Sequence, residues 1–365
     1  MEAGKRHCPR LPLHLQYYST AMQTLTHSTT APNLFPELRQ RVIAAGLLTR
    51  QPLYYMWKLS CTAALLLGGI VMLFLLRESW WVLLIAPYLA FVFGQVGLIG
   101  HDAGHRQIFA STGLNDCMGY LNTLCLGMSF TGWRAIHNAH HASPNRDEAD
   151  PDIDFPFLAY CEEQALRKRG ALPRFIIRHQ AWFYFPILTF TALSLRNTGI
   201  LHFLRSPLRE TWLDQLLFAL HFMLYVGGLL WLLPWTHALL FIVLHQLLWG
   251  LYLGSIFAPN HKGMPVLDRE TNTDFLHEQV LTARNIRSNP LINFWYGGLN
   301  FQIEHHLFPA MPRNNLCRVQ PLVKATCMQH GIPYHETGLL TSYWEILSHM
   351  HEIGASLRES SPLSR

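Results

Sequence analysis

Apolar residues in this chain fall in long unbroken blocks, not in the period-two alternation of a half-buried strand or the single stripe of a soluble helix. A bilayer crossing takes roughly 20 apolar residues. Leu59 to Leu76 approaches that length between Lys58 and Arg77, and only Arg77-Glu78-Ser79 separates it from a second block, Trp80 to Gly100. Trp80 and Trp81 stand where aromatic side chains anchor a helix at the membrane–water interface. No Asp, Glu, Lys or Arg occurs from Gln215 to His261. That stretch accommodates two further crossings, about Leu216 to Leu233 and Ala238 to Ala258, with the turn supplied by Leu233-Pro234-Trp235-Thr236. Two shorter apolar runs, Cys117 to Phe130 and Ala181 to Leu195, are marginal in length. The second contains Pro186 and Trp182-Phe183-Tyr184-Phe185, which suits a helix lying in the headgroup region. A buried helix of soluble type fits it nearly as well.

Charge sorts these blocks into a topology. Lys5, Arg6, Arg10, Arg39, Arg41, Arg50 and Lys58 precede the first crossing. Eleven arginines and lysines, from Arg106 to Arg209, lie between the second and third, and seven more, from Lys262 to Lys324, follow the fourth. The two remaining turns carry Arg77 and no basic residue, respectively. Positive residues mark the inner side, so both termini and the large central loop are expected in the cytoplasm. The fold class predicted is all-α and integral to the membrane: four transmembrane helices in two hairpins beneath a cytoplasmic helical cap. Residues 1–50 read as a polar, partly disordered segment, 51–335 as one domain, and 336–365 as a tail. The segment up to about Leu34 is Pro-, Thr- and His-rich and lacks the apolar core of a secretory signal. Met22 is an alternative start.

Composition agrees with a membrane protein: 50% of residues are hydrophobic and 14% charged. The net charge of +5 is spread over the loops and forms no basic stripe, which excludes a nucleic-acid partner. Seven cysteines, an odd number without a C-x-x-C pair, read as free thiols in a reducing setting.

The candidate chemistry is histidine. Three clusters stand just outside apolar blocks: His101 to His105, His137-Asn138-Ala139-His140-His141, and Gln302-Ile303-Glu304-His305-His306. Residues three and four apart share a helix face. The first cluster therefore presents two imidazoles together and the second three, at i, i+3 and i+4. The third repeats that geometry with Gln302 in place of a histidine. Imidazole suits Zn, Cu, Fe and Ni rather than Mg or Ca. Seven imidazoles are too many for one ion and fit a dinuclear site, with iron favoured because so many nitrogens around two ions suggest redox chemistry. All three clusters fall on one side of the membrane in the four-crossing topology. A lone crossing at Ala181 to Leu195 would separate the second from the third.

Other residues can complete such a site. His261, at the end of the fourth crossing, is an eighth ligand candidate. Gln302 can approach a metal through its carbonyl or a water, or orient an imidazole. Asp102, Asp150, Asp152 and Asp154 can accept the distal N–H of ligand histidines, although Asp150 to Asp154 also reads as a solvated turn. Glu304 points off the ligand face. Gly297-Gly298 allows close backbone approach. His221 and His245, inside crossings, read as helix-packing hydrogen bonders. Phe130, Trp133, Trp295 and Tyr296 flank the clusters, as slot-lining or core aromatics.

This pattern resembles the membrane-bound fatty-acid desaturases, whose three boxes are H-x(3–4)-H, H-x(2–3)-H-H and H/Q-x(2–3)-H-H. Here they read His101–His105, His137–His141 and Gln302–His306, and the likeness extends from about Leu59 to Arg318. It implies a di-iron enzyme that uses O2 to introduce a double bond into a long fatty acyl chain, carried by a lipid or by CoA. It also implies that His261, after the last crossing, is a ligand. Gln302 resembles the front-end and sphingolipid subgroup, many of whose members carry a fused cytochrome b5 domain marked by His-Pro-Gly-Gly. That tetrapeptide is missing from this sequence, so electrons are expected from a separate donor, cytochrome b5 or ferredoxin with its reductase. A hydroxylase or ketolase acting on a lipid, alkane or carotenoid is the alternative on the same metals. A metal transporter fits poorly, because transport sites sit near the midplane between repeats, whereas these clusters lie outside the crossings.

Overall fold

The computed structural model describes residues 33–359; the expectations for residues 1–32 lie outside them. Helix α1 (Phe35–Ala44) leads into α2 (Pro52–Leu75), which opens on a proline at the first turn, where its missing N–H costs nothing. Ser79 caps a short 3-10 turn, Trp80–Leu84, that runs into α3 (Ile85–Gly104). Next come α4 (Thr112–Leu126), α5 (Phe130–Ala142), α6 (Glu162–Arg167), α7 (Ala171–Arg178), α8 (Gln180–Leu188) and α9 (Thr191–Arg205). α10 (Leu208–Phe222) continues through a π-turn, Met223–Gly227, into α11 (Gly228–Leu232), and Pro234 starts α12 (Trp235–His261). α13 (Phe275–Leu281), α14 (Pro290–Trp295), α15 (Gln302–Leu307), α16 (Arg313–Gln329) and α17 (Leu339–Glu359) follow. The sheet is minimal: β1 (Asn285–Ile286) runs parallel to β2 (Glu336–Thr337).

Among the described residues, four helices are long and apolar enough to cross a membrane: Pro52–Leu75, Trp80–Gly104, Leu208–Leu232 and Trp235–His261. They match the four expected blocks but overrun them at the ends. The extensions carry polar residues that tertiary partners hold, such as Lys58, whose Nζ donates to Gln95 Oε1 at 2.7 Å. Neither marginal run forms a single helix of crossing length: α4 and α9 have 15 residues and α8 has 9. Asn122 Nδ2 of α4 donates to Val96 O, and Leu126 packs with Phe93, so α4 runs back along α3. It stops at Gly127, whose φ of +63° is the left-handed conformation that glycine adopts freely. Asp214 of α10 then accepts hydrogen bonds from Thr123, Ser129 and Thr131 side chains and from two backbone N–H groups, fixing the start of α5. The run at Ala181 splits into α8 and α9 at Thr189 and Phe190, and both follow α12 in one direction, with Leu188 against Gly254, Ala192 against Gly250 and Arg196 bonded to Gln246.

Two cores result. One joins α3 to α12 through Val82, Ala86, Leu89 and Phe241. The other joins α1, α13, α15 and α16 through Leu38, Val42, Leu276, Ile303, Leu316 and Val323. In water, burying each such side chain contributes about 1.5–3 kcal/mol; between lipid-facing helices the gain is mainly close packing. Residues 336–359, expected as a tail, join the body. β2 completes the sheet, and Ile346 and Met350 of α17 pack with Tyr184 and Ile153. The reason is an apolar face on α17 that finds α7 and α8 beside it.

Candidate metal centre

Each histidine cluster sits at a helix end. His101 and His105 close α3, His137, His140 and His141 close α5, and His305 and His306 close α15. His261 is the last residue of α12. Helical spacing aims the imidazoles of each cluster to one side, and the four ends meet.

Nitrogens of His101, His105, His137 and His305 lie within 4.8 Å of one another, and so do those of His140, His261 and His306. His141 lies between the two groups. Its Nε2 is 3.2 Å from His137 Nε2, and its ring stacks on His306 at 4.1 Å. In the second group the Nδ1 atoms point outward to fixed acceptors. His140 Nδ1 meets both Asp150 oxygens at 2.9–3.0 Å, His261 Nδ1 meets Thr282 O at 3.0 Å, and His306 Nδ1 meets Gln279 Oε1 at 2.8 Å. Each proton is thus held on Nδ1, and each Nε2 lone pair turns inward. His140 Nε2 and His306 Nε2 lie 3.2 and 3.0 Å from His261 Nε2. Three lone pairs at that spacing repel unless a cation sits among them.

The first group makes the same point by omission. His305 is buried with neither nitrogen bonded, and His101 Nδ1 and His141 Nδ1 are also buried and unpaired. Buried polar atoms without partners are uncommon; a metal ion would give His305 a partner. The donor set is all nitrogen, which suits a first-row transition ion.

Burial holds His105, His137, His141, His305 and His306 well below the usual imidazole range, and their neighbouring imidazoles lower them further. They are neutral at pH 7, as ligation requires. His140 is the exception. Burial lowers it, but Asp152 and Asp150 outweigh that and raise it.

Of the candidate carboxylates, Asp150 is buried. It accepts from His140, from the Asn145 N–H at 2.7 Å and from the Asp152 N–H at 2.9 Å. Its lone pairs are taken up in orienting His140. Asp152 stands 3.7 Å from His140 Nδ1 with its side chain 45% exposed, and Asp154 faces solvent beside Lys168. Asp102 lies 3.6 Å from His101 Nδ1, too far for a hydrogen bond, and instead receives Arg313 Nε. A guanidinium outcompetes a neutral imidazole for a buried carboxylate. Gln302 Nε2 is 3.0 Å from His261 Nε2, and its Oε1 is buried without a partner. Gly297 and Gly298 both have positive φ, and a Cβ on Gly297 would meet Leu98 at 2.6 Å. Trp133 stacks on His137, while Phe130 and Tyr296 are core residues and Trp295 is partly exposed. His221 and His245 bond to Leu124 O and the Tyr225 hydroxyl, away from the centre.

Glu304 turns from the ligand face and accepts from Tyr334 Oη and Asn285 Nδ2, both at 2.7 Å. Burial raises its carboxyl to about 7, against smaller lowering by these two hydrogen bonds. The folded protein thus holds this proton more tightly than the unfolded chain, so stability falls as pH rises from about 4.5 to 7 and the loss persists above. In metal-stripped protein, Glu304→Gln keeps both partners and removes the charge. We expect the variant to exceed the wild type in stability at pH 8 by at most about 3 kcal/mol, with the difference vanishing near pH 5. Thermal unfolding of the pair at both pH values checks this; equal midpoints at pH 8 would refute it.

Gln279, the Thr282 carbonyl and Arg313 are partners that sequence reasoning missed. Each lies more than 20 residues from the group it serves, and no local spacing announces it.

A profile of the fatty acid desaturase family matches residues 78–338 of this chain. The chain is similar to an acyl-lipid (9-3)-desaturase of Physcomitrium patens, 31% identical over 340 residues, covering 89% of this chain and 63% of that protein. It is 32% identical to a Delta(5) fatty acid desaturase of Caenorhabditis elegans, covering 85% and 71%, respectively. With a Delta(8)-fatty-acid desaturase of Euglena gracilis it shares 32% identity, covering 82% and 74%.

Proposed function

The chain belongs to the fatty acid desaturase family and is a membrane protein, and from that premise we propose that it introduces a double bond into a long-chain fatty acyl group, using O2. The observation that carries this reading is the meeting of eight imidazoles from four helix ends in two adjoining groups. We assign His101, His105, His137 and His305 to one iron, His140, His261 and His306 to the other, and His141 to the space between. Gln302 offers the second group a further donor through its unpaired Oε1.

The balance is fixed by chemistry. A –CH2–CH2– unit loses two hydrogens and becomes –CH=CH–, while O2 becomes two molecules of water. Two electrons and two protons must be added, and the electrons come from a separate carrier protein of cytochrome b5 or ferredoxin type. The iron pair, when bound, supplies the reduction of O2 and the oxidising power to take hydrogen from an unactivated methylene. The protein's own residues do the rest. Asp150, Gln279 and the Thr282 carbonyl hold three imidazoles in one tautomer. The buried cores around α3, α12 and α15 exclude water from the centre. We place the four long helices as two hairpins, with the histidines and both termini in the cytoplasm; the basic residues flanking the helices on that side support this. Residues 51–335 carry the helices and the histidines of this reading, and α1 and α17 pack against them.

The test is expression in a host of simple lipid composition, followed by fatty acid analysis with mass spectrometric location of the double bonds. New unsaturated chains are expected. An unchanged acyl profile, with folded, iron-replete protein and a competent donor, sinks the proposal.

A further inference from the structure

A groove of about 380 Å³ lies on the flank of the paired helices α3 and α12, outside the metal centre. Phe91, Leu248, Leu251, Phe185 and Trp295 line it, and its walls are almost wholly carbon. The polar atoms near its inner end are tied to one another. The Tyr252 hydroxyl donates to Trp295 O at 2.6 Å and accepts from Gln95 Nε2 at 2.9 Å, and Gln95 Oε1 accepts from Lys58. Little remains there for a polar ligand.

A second feature surrounds the groove. Elements that belong to none of the four long helices expose large apolar side chains beside it: Leu291 (72% exposed) and Phe294 on α14, and Leu340 (81%) and Trp344 (71%) on α17. α14 and α17 also supply the lining residues Trp295 and Tyr343. Apolar side chains clustered in this way on a water-facing surface are costly. They are at ease in the interfacial layer of a bilayer, where Trp and Leu are favoured. The groove therefore opens into lipid, rimmed by residues that dip into the membrane.

Size selects the occupant. One turn of α-helix, about 10 Å across and 5.4 Å tall, displaces about 420 Å³, so a helix would lie against the groove and not within it. An unbranched hydrocarbon chain fits within it. The groove also lies close to the chemistry. Phe91 precedes His101 by ten residues on α3, an axial rise of about 15 Å. Ser255, another lining residue, precedes His261 by six on α12, about 9 Å.

We propose that this groove seats the acyl chain of a bilayer lipid, so that substrate approaches the metal centre sideways out of the membrane and not from a water-soluble carrier. This rests on the desaturase reading and narrows its substrate class to membrane-lipid acyl groups.

The experiment uses the full chain in nanodiscs of phosphatidylcholine bearing a diazirine on one acyl chain. After irradiation, adducts are expected to concentrate on the peptides containing Phe91 and Leu248 to Ser255. Leu251→Trp and Leu248→Trp, each filling the groove, should lower those adducts by about tenfold. Val243→Trp, exposed on the same helix outside the groove, should leave them unchanged. Monodispersity and melting temperature are followed for all three. Adducts spread evenly over the exposed faces of α2 and α10 would overturn the proposal, as would groove labelling by a soluble diazirine acyl-CoA but not by the phospholipid. Adducts are read without turnover. Groove labelling without product would leave this site standing and remove the desaturase reading; product formation indifferent to both tryptophans would do the reverse.

Discussion

His140→Ala is expected to abolish formation of unsaturated product and to lower bound iron by about half. His140 is one of three nitrogens in the second group, beside His261 and His306. Its Nε2 faces His261 at 3.2 Å while Asp150 grips the opposite nitrogen. Alanine removes the donor and leaves Asp150 with an unmatched buried lone pair. Two imidazoles and an amide do not retain a first-row ion against water. Loss of an orienting partner alone typically costs about 10–100-fold in metal affinity or activity, and loss of the ligand itself costs more. Asp150→Asn supplies that graded comparison. It should keep the fold and lose about 10–100-fold in activity, because an amide can present its N–H to His140 and impose the wrong tautomer. Iron content by elemental analysis and product yield by gas chromatography check both variants. A His140→Ala protein with full iron and normal product would remove His140 from the centre.

The centre was legible in outline because helical spacing is local. Histidines at i, i+3 and i+4 share a face whatever the rest of the chain does, so the three clusters could be read without a fold. His261 was legible as the end of an apolar block. The crossings were legible as blocks but not at their ends. Lys58 and Asp214 look like stops in sequence, yet Lys58 finds Gln95, and Asp214 finds five donors around Ser129. Those partners are 37 and 85 residues away. The end of α4 turns on Gly127, and a glycine in an apolar run reads equally as helix interior or turn. For Asp102, the sequence offered the ligand histidines as partners, whereas Arg313, 211 residues on, takes the carboxylate. Long-range choices between competing donors are settled by packing, and a single sequence does not display them.

That last pairing carries the largest expected effect on stability. Arg313 is the first residue of α16, and both it and Asp102 are buried. Its Nε donates to Asp102 and its Nη2 to Leu98 O, so one side chain ties the start of α16 to the last turns of α3. The tie fixes His101 relative to the third cluster. Arg313→Met keeps most of the side-chain volume but strands a carboxylate in a dry site. Breaking a buried pair from one side costs about 3–5 kcal/mol, which for a chain of this size lowers the melting temperature by about 4–7 °C. The double variant Asp102→Asn/Arg313→Met removes the stranded charge and should recover more than half of the loss, since replacing both partners is far milder than removing one. Thermal unfolding in detergent, with iron content read in parallel, separates the cases. If the single variant melts with the wild type, the pair is not what joins the two elements. If it melts early but the double variant melts no later, the cost lies in lost packing at position 313 and not in the buried charge.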